Sequence, residues 1–262
     1  MLAGLVLALG VALALPRAAV AQAAPDVIVY GDPTLRHALL DVGARFTAET
    51  GVPVHVFAAP PTLILAQLRH QVWNDVVVTL APWMDQAEQA GVIEKGTRTG
   101  AWRNTLVLAR AAGVTPANDT VAVTDPTPAA TVDGRAVLAA MELHPLPVGV
   151  ATGTLLAPLA TQGGPATHVQ GVANTAEVAF LLDTGAAAQG LVYLTDVRAD
   201  PELSVAGPVA DAAYAPIVYA AAISTLRHSP NAHAFLDYLH APAATEVLRA
   251  DGLQTVPPGT VP

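Results

Sequence analysis

The sequence predicts an α/β fold in which a parallel sheet carries helices on its faces. Three observations predict it. Short β-branched runs alternate with segments of helical periodicity through residues 26–90. The breaks between them hold Gly, Pro and Thr, which stop strands and start helices. The resulting order is strand–helix three times over, the pattern of parallel strands joined by crossover helices.

Asp26–Tyr30 is a β-rich apolar run, ended by Gly31-Asp32-Pro33. Thr34 stands where it would cap a helix over Leu35–Ala48, with Leu39, Leu40, Val42 and Phe46 near helical spacing and Gly51 as the stop. Val52–Phe57 reads as the second strand. Pro60-Pro61-Thr62 opens a second helix to His70, because proline suits a first turn. Asp75–Thr79 is the third strand, and Pro82 opens the third helix. A turn-rich stretch, Gly91–Arg103, leads to a strand over Thr105–Ala109. In the middle, Val121–Val123 and Leu146–Ala151 read as strands, Asp125–Pro128 as a loop and Val132–Met141 as a helix. Thr152-Gly153 leads into a helix near Leu155. Asn174 starts a helix to Leu182 that ends near Gly185. Gly190–Tyr193 and Ile217–Ala222 are strands, and Asn231–Leu239 and Ala243–Ala250 are two closing helices. The proline-bearing tail Val256–Pro262 is expected to fray.

The N-terminus points to export. Leu2–Leu15 is an apolar run, shorter than the roughly 20 residues that span a hydrocarbon core. Ala19-Val20-Ala21 and Ala21-Gln22-Ala23 both fit an A-x-A cleavage site. The expectation is a signal peptide over residues 1–23, cleaved near Ala21 or Ala23, and a periplasmic protein. No Lys or Arg precedes the apolar run, so an uncleaved anchor is the alternative. The mean hydropathy of +0.46 comes mainly from Ala and Val, and no later stretch reads as transmembrane. With no cysteine there is neither a disulfide framework nor a lipid-modified cysteine, and thiol catalysis is excluded.

Twelve basic residues against 21 acidic ones give a formal net charge of −9. That balance excludes nucleic acid as a partner, since such binding rests on clustered Lys and Arg. It does not exclude a small anion, which local amides and hydroxyls can hold. No G-x-S-x-G elbow, H-E-x-x-H, P-loop or strand-following G-x-G-x-x-G occurs. No catalytic residue, cofactor or cation site is therefore expected. His228, His233 and His240 lack a carboxylate partner at ligand spacing and read as solvated histidines.

Several blocks in order resemble the periplasmic molybdate-binding protein family. They are Val29-Tyr30 with Thr34-Leu35 and the helix to Phe46, then Gly91–Gly96 with Arg103–Ala109. Gly190-Leu-Val-Tyr-Leu-Thr-Asp196, Pro216–Tyr219 and Asn231–Leu239 with Pro242 follow. The resemblance is weakest over residues 111–171. It implies a two-lobed type II periplasmic-binding fold, each lobe a mixed sheet flanked by helices, with the ligand cleft between lobes. Lobe one would be 26–105 plus 213–262, and lobe two 106–212. The implied protein is a monomeric substrate-binding component of an ABC transporter, docking on permease subunits and binding molybdate or tungstate.

An oxyanion needs hydrogen-bond donors: hydroxyls, backbone N–H groups and helix N-termini. By the resemblance, Thr34 takes the place of the family's first binding serine. Thr62 adjoins Pro61, which stands at the second and offers neither hydroxyl nor N–H. Thr152 matches a backbone donor, with Thr131 as the alternative alignment; Thr175 matches another, and Tyr193 the binding tyrosine. Taken singly, a threonine before a helix is most often a cap, and a strand-end tyrosine a packed aromatic. Asp32 is a second departure, a carboxylate where the family has a small residue; it would repel a dianion unless it caps the helix. Pro61 and Asp32 keep a different solute in view: another oxyanion, an organic acid or a polar solute. A secreted hydrolase is the remote alternative.

Overall fold

The computed structural model describes residues 25–113, 137–140, 169–172, 174–187, 189–209, 211, 214–227 and 229–256. The expectations for 1–23, 121–123, 125–128, 146–155 and the tail beyond 256 lie outside the described residues, as do Thr131, Thr152 and His228.

Two sheets organise the chain. The strands of the first are β1 (Val27–Gly31), β2 (Val54–Ala58), β3 (Val76–Leu80), β4 (Thr99–Asn104), β10 (Ile217–Ile223) and β11 (Gln254–Thr255), in the order β11-β4-β10-β3-β1-β2. The second holds β5 (Leu106–Ala111), β6 (Val137–Ala140), β7 (Val169–Val172), β8 (Gln189–Tyr193) and β9 (Leu203–Pro208), in the order β7-β6-β8-β5-β9. β1 runs parallel to β2 and β3, as the alternating pattern predicts, and β10 returns antiparallel between β3 and β4. β3 is buried at all five positions, so its Val-Val-Val run shows no polar alternation.

Helix α1 (Arg36–Thr50) stops at Gly51, whose φ of 73° is the left-handed conformation that glycine adopts without strain. α2 (Pro61–Arg69) and α3 (Ala81–Gln89) both carry proline in the first turn. In the second half, α4 (Thr175–Asp183) follows an Asn174 cap, and α5 (Leu194–Ala199) follows β8 directly. α6 (Ala232–Tyr238) and α7 (Pro242–Ala250) close the chain over the first sheet. Phe46 of α1 meets Phe235 and Tyr238 of α6 edge-to-face, at 5.3 and 5.1 Å between ring centres.

Several elements correct the sequence reading. Thr99–Asn104 is a strand rather than part of a turn region, because β10 and β11 pair with it from both sides. Val137–Ala140, expected within a helix, is a strand held parallel between β7 and β8. His240 is exposed, as expected of a solvated histidine; one side of its ring stacks on Trp102 at 5.2 Å and it meets the Thr99 hydroxyl at 3.0 Å.

The chain passes from the first sheet to the second between Asn104 and Leu106 and returns between Pro208 and Ile217. The two halves also touch at Gly252. There φ is +94°, and an added Cβ would lie 2.9 Å from Leu194 Cγ on α5. Gly252→Ala should therefore cost about 1–2 kcal/mol, from left-handed strain and the forced shift of Leu194. Urea denaturation checks this; an unchanged midpoint would show that the contact yields freely.

Candidate functional site

A cleft of about 470 Å³ opens between the turn after β1 and the α4–α5 face of the second half. Thr34 lines one wall, and Thr175 and Asp196 the other. Phe180, Ala179 and Leu203 supply apolar surface, while Asp183, Asp200 and Glu202 add carboxylates. Among the described residues, no Lys or Arg lines it.

The wall beneath Thr34 is built by Asp32. Its carboxylate accepts from the Thr34 N–H at 3.1 Å and from the Thr34 hydroxyl at 2.8 Å, while its own N–H bonds Val78 on β3. Asp32 thus caps the single 3-10 turn Pro33–Leu35 that precedes α1, and Leu35 is the residue before α1. This corrects the expected Thr34 cap: the aspartate two positions earlier holds the turn, and the threonine hydroxyl donates to it. The Thr34 hydroxyl also meets the Tyr219 hydroxyl at 2.7 Å. Because it donates to Asp32, Tyr219 donates to it. Tyr219 has no exposed surface and bonds Asn104 as well.

The opposite wall repeats the arrangement. Thr175 is the first residue of α4, whose cap is the Asn174 side chain, accepting from the Glu177 N–H at 2.9 Å. The Thr175 hydroxyl bonds the Asp196 carboxylate, which also accepts from the Tyr193 N–H at 3.1 Å. On each wall, then, a threonine hydroxyl is engaged by a carboxylate.

Burial pushes the Asp32 carboxyl up to about 6, against the two Thr34 bonds that favour its charge. Burial also raises Asp196 to about 7; its bonds from Tyr193 and Thr175 oppose the rise, and the charge of Asp32 adds to it. Tyr219 is raised well above the usual phenol range by burial first, then by Asp32 and Tyr193. Both carboxyls stand above the ordinary 3.8, so the folded protein keeps protons that the unfolded chain releases. The stability they contribute is full below about pH 4 and is lost as pH rises through about 6 and 7. The urea midpoint should fall from pH 5 to pH 8 by more in the wild type than in Asp32→Asn/Asp196→Asn. Parallel curves would show that neither group titrates between those limits.

The structure brings Thr34 and Thr175 to one cleft from opposite sides. Tyr193 is buried at the end of β8, is not among the lining residues, and is close enough to Tyr219 to influence its ionisation. Thr62 is exposed in the first turn of α2 and is not among the lining residues. Sequence reasoning passed over Asn104, Tyr219 and Asp196 as site residues. All three lie in the blocks that carry the family likeness: Asn104 ends β4, Tyr219 lies within β10, and Asp196 follows β8 in the first turn of α5.

The profile of the bacterial extracellular solute-binding protein family matches residues 27–254. The chain belongs to that family. Such proteins are non-catalytic, bind a small ligand and partner with the permease and ATPase components of ABC transporters. The solute-binding chain is 24% identical to the molybdate-binding protein ModA of Escherichia coli over 227 residues, 86% of this chain and 88% of that one. The periplasmic molybdate-binding protein of Azotobacter vinelandii superposes with a TM-score of 0.70 at 19% identity, over 88% of this chain and all of that one. Peb3 of Campylobacter jejuni superposes at 0.65 with 13% identity, over 87% of this chain and 99% of that one. These structures share the type II periplasmic-binding fold with it. No described helix is long and apolar enough to cross a membrane.

Proposed function

We propose that this solute-binding protein captures a small tetrahedral oxyanion, molybdate or tungstate first, between a lobe of residues 26–105 plus 213–262 and a lobe of 106–212. The observation that carries the reading is the convergence of Thr34 and Thr175 on one cleft from its two walls. Hydroxyls from both sides and the helix-start amide of Thr175 suit an anion's acceptor oxygens, and bonds to a charged acceptor are worth roughly 1.5–3 kcal/mol each. Tyr193, Thr152 and Thr62 are proposed as further ligand contacts on the closed form. Export to the periplasm after cleavage near Ala21 or Ala23, and action as a monomer on transporter permease subunits, complete the proposal. Calorimetric titration of the purified protein with molybdate, tungstate, sulfate and phosphate tests it. Saturable heat with the first two is expected, and silence with both would reject the ligand.

A second reading keeps the cleft and changes the solute. The carboxylate rim of Asp183, Asp200 and Glu202 favours it, since these oppose a bare dianion. Peb3 has been solved with L-phospholactate bound. A small organic acid or polar solute that displaces molybdate, or that alone raises the melting temperature, would favour this reading.

A further inference from the structure

We infer that Asp32 and Asp196 are specificity-determining residues that make oxyanion capture in this cleft proceed with uptake of a proton. The inference rests on the oxyanion reading above and deepens it.

Both threonine hydroxyls are occupied as the protein stands. The Thr34 hydroxyl gives its one proton to Asp32 at 2.8 Å, and the Thr175 hydroxyl bonds Asp196. A hydroxyl has one proton and two acceptor sites. With both carboxyls ionised, the entering oxyanion would meet two oxygen lone pairs and two negative charges instead of two hydroxyl donors.

One proton reverses this locally. A neutral Asp32 donates its O–H to Thr34 Oγ1, which also accepts from Tyr219; the Thr34 hydroxyl proton is then free to turn towards the ligand. The same exchange at Asp196 would release the Thr175 hydroxyl. In either case the proton comes from solvent and stays on the carboxyl, and no covalent bond to the ligand forms.

The surroundings favour this. Asp32 is only 4% exposed, and Val78 of β3 and Tyr219 of β10 pack against it. The titratable groups facing the pair are Tyr219 from β10, Tyr193 and Asp196 from the β8–α5 corner, Asp183 from α4, and Asp200 and Glu202 beyond α5. None of these supplies a positive charge. Arg36 at the start of α1 and Arg198 on α5 are exposed and do not line the cleft. A dianion brought among these acids shifts the pair further towards the neutral form.

The test is calorimetry with molybdate between pH 6.0 and 8.5, in Tris and in HEPES, whose ionisation enthalpies differ. The expected result at pH 8 is a buffer-dependent heat corresponding to about one proton taken up. Affinity should weaken about tenfold for each pH unit above 7. Asp32→Asn/Asp196→Asn should flatten that slope and bind at pH 8.5 at least as tightly as the wild type does at pH 7.5. If the double variant does not fold, the buffer dependence of the wild type decides alone. Equal heats in the two buffers with a flat pH profile would overturn the proton coupling and leave the oxyanion reading intact. No binding of molybdate, tungstate, sulfate or phosphate at any pH would overturn both.

Discussion

Asp75→Ala is expected to destabilise the protein by about 3–5 kcal/mol, the range for breaking a buried charged pair from one side. Asp75 has no exposed surface and stands immediately before β3. Its carboxylate accepts from the Ile28 N–H at 2.8 Å and from the Ser229 N–H at 3.0 Å, and it pairs with Arg227. Arg227 in turn bonds Asp26, so one aspartate ties the entry to β1, the entry to β3 and the segment after β10. Alanine leaves two backbone donors without a partner in a site that water does not reach, and each such group costs about 1–3 kcal/mol. Arg227 retains Asp26, which limits the loss. Asp75→Asn keeps the shape and one acceptor and should fall between the wild type and alanine. Urea denaturation at neutral pH measures the series. A loss below about 1 kcal/mol for alanine would mean that water enters and replaces the carboxylate.

How far the sequence could be read depended on where each structural cause lies. Elements with their own local signal were legible: Gly51 ending α1, Pro61 and Pro82 opening α2 and α3, and Asn174 capping α4. β4 was not, because Thr-Gly-Ala-Trp-Arg-Asn carries no alternation, and its extended form comes from pairing with β10 and β11. Val137–Ala140 reads equally well as helix, and only its neighbours in the sheet decide. At the cleft, the candidates Thr34 and Thr175 came from the family likeness, whereas their carboxylate partners follow two different logics. Asp32 was within reach: Asp-Pro-Thr is a local turn in which the aspartate accepts from the amide two positions on. The bond from Tyr219 to Thr34 spans 185 residues and exists only because β10 returns beside β3.

Asn104→Ala should cost about 2–4 kcal/mol and weaken ligand binding about tenfold or more, because this residue joins the crossover to the elements that form both walls of the cleft. Asn104 is fully buried at the end of β4, with Thr105 alone between it and the start of β5 in the other sheet. Its amide donates to the Thr195 hydroxyl on α5 at 2.9 Å, and its carbonyl accepts from the Thr105 N–H at 2.9 Å. It also bonds Tyr219, which donates to Thr34. One side chain therefore links the passage between sheets to the wall that presents Thr34 and to the helix that presents Asp196. Alanine leaves Thr195 and Thr105 without these partners, which sets the stability loss. It also frees the angle between the two walls, and ligand binding must then restore an arrangement the wild type already holds. Asp75→Asn separates the two effects, since Asp75 bonds Ile28, Ser229 and Arg227, none of which lines the cleft or bonds Thr34 or Thr195. At a temperature where both variants are folded, Asp75→Asn should bind like the wild type and Asn104→Ala should not. Equal affinity in the two would make Asn104 a stabilising residue without a part in positioning the cleft.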